Sequence, residues 1–266
     1  MFESLVWQKD RLLYNGLVFR LEHYRSGDWD LGDECFVFYK IKKLVDQYEH
    51  FFASREFTCR HFLELGMWEG GSLPFWFEAF RPEKMVGIDL MERGDSAHFQ
   101  RYVRERGLEQ RIKTFWGVNQ TDSQRLLNIA EAEFGSTIDL VLDDASHVYG
   151  PTLSSFETLF PLVRPGGLYI IEDWAWEHWP ECHTPESSLA RQEGLTRLIF
   201  EIMQAAGTSE ALIKSVTVHE GFAAVERGNA PPADFKLDHS IVTRPRGEAQ
   251  ISMAGRLKAA IRAFRS

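Results

Sequence analysis

Five short apolar segments, each followed by a break, constrain this chain more than any other feature. His61-Phe62-Leu63-Glu64-Leu65-Gly66 ends in glycine, and Lys84-Met85-Val86-Gly87-Ile88-Asp89-Leu90 runs to an acid. Ile112 to Trp116 is a weaker third. Ile138-Asp139-Leu140-Val141-Leu142-Asp143-Asp144 stays apolar until paired carboxylates, and Leu168-Tyr169-Ile170-Ile171-Glu172-Asp173 repeats that pattern. Continuous apolar runs of this length suit strands of a parallel sheet covered on both faces. Helix-length segments at 73–80, 97–106, 123–133 and 152–163 separate them, which predicts βα units with right-handed crossovers. The last pair of strands differs. Val216-Thr217-Val218-His219 and Phe222-Ala223-Ala224-Val225 are separated only by Glu220-Gly221, which predicts a tight antiparallel hairpin at the end of the sheet.

Before residue 56, Phe36, Tyr39, Leu44, Tyr48 and Phe51 recur at roughly helical spacing. The expectation is a helical cap over residues 1–55, packed beside an α/β domain spanning 56–228. Residues 229–266 form a C-terminal extension. Its final stretch carries Arg256, Lys258, Arg262 and Arg265 with no acid, and places Leu257, Ile261 and Phe264 on one helical face. Such a basic amphipathic helix is either a solvated terminal helix or a contact for a membrane or partner.

Composition narrows the function. Thirty basic against 39 acidic residues give a net charge of −9, which argues against a nucleic-acid binder. Cys35, Cys59 and Cys182 are widely spaced, with no CxxC pair, and read as reduced thiols. No signal peptide and no long apolar span is apparent, so the expected location is cytoplasmic, without an integral membrane segment.

Chemistry concentrates at the ends of the predicted strands. Glu64-Leu65-Gly66-Met67-Trp68-Glu69-Gly70-Gly71-Ser72 leaves one strand and opens a helix, where glycines admit a ligand to free backbone amides. It lacks the G-x-G-x-x-G spacing, which weakens a dinucleotide reading. Asp89 ends the next strand about 20 residues on, where nucleotide-type folds grip a ribose. Gln120 and Asp122 follow the third strand and either reach an adenine edge or serve as loop polarity and a helix cap. Asp143, Asp144, Glu172 and Asp173 end two strands expected to be neighbours. Four converging carboxylates repel unless a cation joins them, and oxygen ligands favour Mg²⁺, Mn²⁺ or Ca²⁺. His147, three residues past Asp144, is placed to act as a general base. Trp174, Trp176, His178 and Trp179 follow directly and suit stacking on an acceptor, a packed lid or an oligomer contact.

Taken together, Phe62 to Gly66 with Gly70-Gly71-Ser72, Asp89, Ile138 to His147, and Pro165-Gly166-Gly167 leading to Glu172-Asp173 resemble class I S-adenosylmethionine-dependent methyltransferases. More narrowly they resemble the metal-dependent macrolide-sugar O-methyltransferases and the cephalosporin-hydroxylase-type proteins, over residues 56–226. The resemblance implies a Rossmann-like α/β fold, a seven-stranded mostly parallel sheet with a C-terminal antiparallel hairpin and helices on both faces. It implies Asp144, Glu172 and Asp173 as Mg²⁺ ligands and His147, beside Asp144, as the catalytic base. Glu64, Gly66, Glu69, Ser72, Asp89, Gln120, Asp122 and Asp143 become candidates for holding S-adenosyl-L-methionine. Gly117-Val118-Asn119-Gln120 departs from the group's usual Gly-Asp-Gln loop after the third strand.

The expected activity is S-adenosylmethionine- and Mg²⁺-dependent O-methyl transfer to a hydroxyl of a sugar or other hydroxylated small molecule, in natural-product or glycan tailoring. Alternatives are a metal-independent methyltransferase, a non-catalytic cofactor-binding or assembly protein, and a nicotinamide oxidoreductase. Self-association into a homo-oligomer stays open.

Overall fold

A computed structural model describes residues 2, 4–21, 35–135, 137–185, 187, 189–230 and 235–242. The basic segment at 251–266 lies outside the described residues. The chain begins with four short strands, β1 (Val6–Trp7), β2 (Arg11–Tyr14), β3 (Leu17–Leu21) and β4 (Phe36–Phe38), followed by helix α1 (Lys42–Ala53). From β5 (His61–Leu65) the alternation begins: α2 (Ser72–Phe80), β6 (Lys84–Ile88), α3 (Ala97–Glu105), β7 (Ile112–Phe115), α4 (Ser123–Phe134), β8 (Ile138–Asp143), α5 (Tyr149–Leu159) and β9 (Val163–Glu172). Helix α6 (Thr196–Thr208) and the hairpin β10 (Ile213–Val218) and β11 (Phe222–Arg227) complete it.

Seven strands form the main sheet in the order β10-β11-β9-β8-β5-β6-β7. The ladders among β5 to β9 are parallel, and β11 pairs antiparallel with both β9 and β10, as the sequence predicts. Burial alternates with the pleat. Phe62, Met85, Leu140 and Ile170 enter one core, and Leu63, Val86, Val141 and Ile171 enter the other. Both faces are therefore covered, which explains why these strands read as unbroken apolar runs.

Residues 1–55 differ from the single helix that the aromatic spacing predicts. Leu44, Tyr48 and Phe51 do lie on α1, but Phe36 belongs to β4 and Tyr39 to the link between them. The preceding residues form a second sheet, with β1, β2 and β3 antiparallel and β4 parallel to β3. The cause is local: Asn15 and Gly16 both take positive φ (48° and 78°) and close the β2–β3 hairpin. This sheet packs on α2 through aromatic rings. Phe75 meets Tyr14 at 5.5 Å, Phe19 at 5.9 Å and Phe38 at 4.7 Å between centroids, all of them buried.

Candidate active site

Going from β5 the chain adds strands outward through β6 and β7, then returns to place β8 and β9 on the other side of β5. The order reverses between β5 and β8, and ligands in open α/β sheets bind beyond the carboxyl ends of strands at such a point. The loops after β5, β8 and β9 meet there. Gly66 makes their contact close, with φ +81° and no room for a side chain: a Cβ would lie 2.1 Å from the Asp144 carbonyl oxygen. The Asp144 amide in turn donates to the Leu65 carbonyl at 2.9 Å. Gly71 does the same toward β4, since a Cβ there would lie 1.7 Å from the Val37 carbonyl oxygen.

Three ligand-bearing side chains converge at this point. Asp144, His147 and Asp173 each offer an atom within 4.8 Å of the others. His147 Nε2 stands 3.8 Å from Asp144 Oδ1. Both His147 and Asp173 adopt left-handed backbone (φ 55° and 51°), an uncommon conformation for residues with side chains and one that surrounding structure has to enforce. Trp176 enforces it at His147, its Nε1 donating to the His147 carbonyl at 2.6 Å. The Asp173 amide donates to the Gly221 carbonyl at 2.8 Å. The tryptophan cluster is thus largely a packed support: Trp176 is buried, and Trp174 Nε1 donates to the His219 carbonyl at 2.7 Å.

Glu172 and Asp143 behave differently from the expected four-carboxylate group. Along β8 and β9 side chains alternate, so Asp143 falls on the Val141 and Ile171 side of the sheet, away from Glu172. Its Oδ2 accepts from Ser155 Oγ and Tyr169 Oη, both at 2.6 Å, and burial raises its pKa. Glu172 faces the N-terminal residues. The Lys40 ammonium donates to both Glu172 oxygens (2.9 and 2.8 Å) and to Asp144 Oδ2 (2.8 Å), while Tyr48 Oη donates to Glu172 Oε1 at 2.7 Å. Burial and the Asp144 charge push the Glu172 carboxyl up. For Lys40, burial works against the charge, but Asp144 and Glu172 outweigh it and its pKa is raised. Sequence reasoning did not find Lys40 or Tyr48.

The candidate cofactor residues divide into open and occupied groups. Glu64 is buried and neither carboxylate oxygen has a well-formed hydrogen bond, while the Ser72 hydroxyl, its Oγ also buried, favours the ionised carboxylate. Burial raises the Glu64 pKa to about 8 against the lowering influence of Lys40. Unpartnered buried oxygens beside the Gly66 loop fit a ligand carrying hydrogen-bond donors or positive charge. Asp89 braces that loop: its Oδ2 accepts from the Met67 and Trp68 amides at 3.0 and 2.7 Å, and Oδ1 from the Met91 amide at 2.8 Å. A carboxylate has about four acceptor positions, so one is left for a ligand. Glu69 is paired with Arg93 at 2.8 Å. Gln120 donates to Ser155 Oγ at 3.2 Å and accepts from the Ser146 amide at 3.1 Å, which bridges α5 to the His147 loop. Asp122 caps α4 by accepting from the Arg125 amide at 3.0 Å.

Comparison with known proteins bears on the family and the fold. Residues 63–174 match a family described as a methyltransferase domain. The chain is 33% identical over 174 residues to the mycinamicin VI 2''-O-methyltransferase of Micromonospora griseorubida, an overlap of 60% of this chain and 40% of that protein. It is 37% identical over 159 residues to the 8-demethyl-8-(2-methoxy-alpha-L-rhamnosyl)-tetracenomycin-C 3'-O-methyltransferase of Streptomyces olivaceus, covering 57% of this chain and 36% of that one. Among solved structures, MycE methyltransferase from the mycinamycin pathway, in complex with Mg, SAH and mycinamycin VI, superposes with a TM-score of 0.51 at 30% identity, covering 70% of this chain and 49% of that chain. The chain therefore spans between a quarter and two fifths of the length of the curated relatives it matches.

Proposed function

We propose, from the match of residues 63–174 to the methyltransferase domain family, that this chain is an S-adenosylmethionine-dependent, Mg²⁺-assisted O-methyltransferase acting on a hydroxyl of a sugar or similarly hydroxylated small molecule. The observation that carries the reading is the Asp144–His147–Asp173 group, set against the Gly66 loop at the point where strand order reverses. The named relatives, a mycinamicin VI 2''-O-methyltransferase and a rhamnosyl tetracenomycin-C 3'-O-methyltransferase, support the acceptor class. In this reading residues 56–228 are the catalytic domain and residues 1–55 cap it.

The residues fit both groups that the reading needs. Glu64 and Ser72, buried and without well-formed hydrogen bonds, would hold the cofactor's polar end, Gly66 lets the β8 loop close against theirs, and Asp89 keeps one acceptor position for a ribose hydroxyl. Asp144 and Asp173, with His147 beside them, would hold the divalent cation. Bound there, the cofactor supplies an electrophilic methyl and the cation makes an acceptor hydroxyl more acidic. His147 would take the acceptor hydroxyl's proton at Nε2. Asp144, 3.8 Å from that nitrogen, stabilises the imidazolium so formed. Trp176 keeps the His147 backbone in place, so the ring is oriented before substrate arrives.

The test is calorimetric titration of S-adenosylmethionine and S-adenosylhomocysteine with Mg²⁺ and then EDTA, with NAD as control, followed by an acceptor screen. Micromolar binding of a sulfur ligand supports the cofactor, whereas binding of NAD or of nothing refutes it. Asp144→Ala should abolish turnover with the far-UV circular dichroism unchanged, and full activity in that variant would remove the metal role. The metal-independent alternative draws on one observation, the Lys40 ammonium between Asp144 and Glu172. Turnover indifferent to EDTA would favour it.

A further inference from the structure

Sequence resemblance implies a metal triad of Asp144, Glu172 and Asp173, yet Glu172 is not among the residues whose ligand atoms converge. Lys40 accounts for the difference. An ammonium has three N–H donors and no acceptor. All three are used here, on Asp144 Oδ2, Glu172 Oε1 and Glu172 Oε2 at 2.8, 2.9 and 2.8 Å. Tyr48 adds a second donor to Glu172 Oε1 at 2.7 Å. Both Glu172 oxygens are therefore committed to this chain's own groups.

The position of Lys40 is built into the fold. It follows β4, whose Phe38 packs on Phe75 and whose Val37 carbonyl sits where a Gly71 side chain would be. The residue is 5% exposed, and its ammonium lies 5.9 Å from the Trp76 ring centroid. It also lies ahead of the matched residues 63–174, so the N-terminal sheet brings it to the site.

We propose that Lys40 is the resident counter-cation of this centre: it occupies the Asp144–Glu172 edge, leaves Asp144 and Asp173, beside His147, open to a divalent cation, and so weakens the hold on that ion. The inference rests on the methyltransferase reading only for the relevance of the metal. Two effects act together. The ammonium withdraws Glu172 as a ligand, and its charge repels a second cation approaching the Asp144 that both would share. Lys40 is a positioning residue in this account and need not touch substrate.

The experiment compares Mg²⁺ and Mn²⁺ binding to the full chain by calorimetry, and bound Mn²⁺ by electron paramagnetic resonance, in the unaltered protein and in Lys40→Met. Methionine keeps the length and removes the charge. The expected result is divalent affinity higher by about tenfold or more, from one more carboxylate ligand and one less positive charge. Unchanged or weaker binding, with the circular dichroism intact, overturns the proposal, since Lys40 would then only pack or would help the ligands. Lys40→Gln, which removes the charge but keeps N–H donors toward the carboxylates, serves if the methionine variant does not fold: a smaller rise, from the lost charge alone, is expected, and unchanged or weaker binding there overturns the proposal as well. The readout is metal binding, so failure to methylate any acceptor bears on the function and leaves the Lys40 comparison standing.

Discussion

Glu64→Gln tests the electrostatics of the cofactor cradle with a magnitude that follows from the structure. The Glu64 carboxyl is buried, makes no well-formed hydrogen bond, and has its pKa pushed up to about 8 by burial against the lowering influence of Lys40 and Ser72. In the unfolded chain the same group titrates near the ordinary value of 4.5. Between these values the folded protein keeps a proton that the unfolded chain has lost, so stability falls as pH rises. The contribution is full below pH 4.5 and lost through pH 8. At about 1.36 kcal/mol per pK unit the ceiling on that loss is about 5 kcal/mol. This is a large share of the ~5–15 kcal/mol that holds a typical domain together.

Glutamine is uncharged at every pH and removes this dependence while keeping the shape. The assay is urea unfolding at pH 5 and pH 9, in EDTA and without cofactor, on both proteins. The variant should gain on the unaltered protein by several kcal/mol between the two pH values, visible as a relative rise in midpoint at constant slope. A difference between the two proteins that stays the same from pH 5 to pH 9 refutes the argument. It would mean that Glu64 is solvated or already charge-compensated in the folded state. A second consequence uses the same group. A ligand whose ammonium group ionises Glu64 releases about 0.9 proton at pH 7, because a carboxyl with a pKa of about 8 is roughly nine-tenths protonated there. S-adenosylhomocysteine titrations in buffers of different ionisation enthalpy read that proton directly.

Two further outcomes follow from packing. Gly66→Ala forces a Cβ to within 2.1 Å of the Asp144 carbonyl oxygen at φ +81°, so the β5 and β8 loops must separate. S-adenosylhomocysteine affinity in calorimetry should fall at least about tenfold, on top of roughly 1–2 kcal/mol of backbone strain in thermal unfolding. Tyr169→Phe removes one of the two hydroxyls on buried Asp143, which should cost about 1–3 kcal/mol in urea unfolding. Because Asp143 faces away from Asp144 and Glu172, divalent-ion affinity should stay unchanged in that variant.

The sheet was legible because its cause is local. Strands buried on both faces need unbroken apolar runs, and the carboxylates that end β8 and β9 mark where those runs stop. The hairpin β10–β11 was legible for the same reason, with Glu220-Gly221 too short for a crossover. Helix α6 was not singled out, although Leu198, Ile199, Ile202 and Ala205 recur at helical spacing and are all buried. The N-terminal sheet also left a signal, Asn15-Gly16 between two apolar runs, which the more conspicuous aromatic spacing of α1 obscured. Asp143 could have been separated from the acidic group by counting alternate residues from Val141, since both belong to one face.

Lys40 is of another kind. Its partners lie 104 and 132 residues away, and no spacing rule connects them. Adjacent acids at strand ends show that a cation is needed, because buried like charges cannot stand together uncompensated. They do not show which cation, since an ammonium from elsewhere in the chain meets part of that need as a metal ion would. Only the packing of β4 across Gly71, which carries Lys40 over the ends of β8 and β9, decides it. The acidic pattern thus locates the centre, while the N-terminal sheet sets how much positive charge is left for a metal to supply.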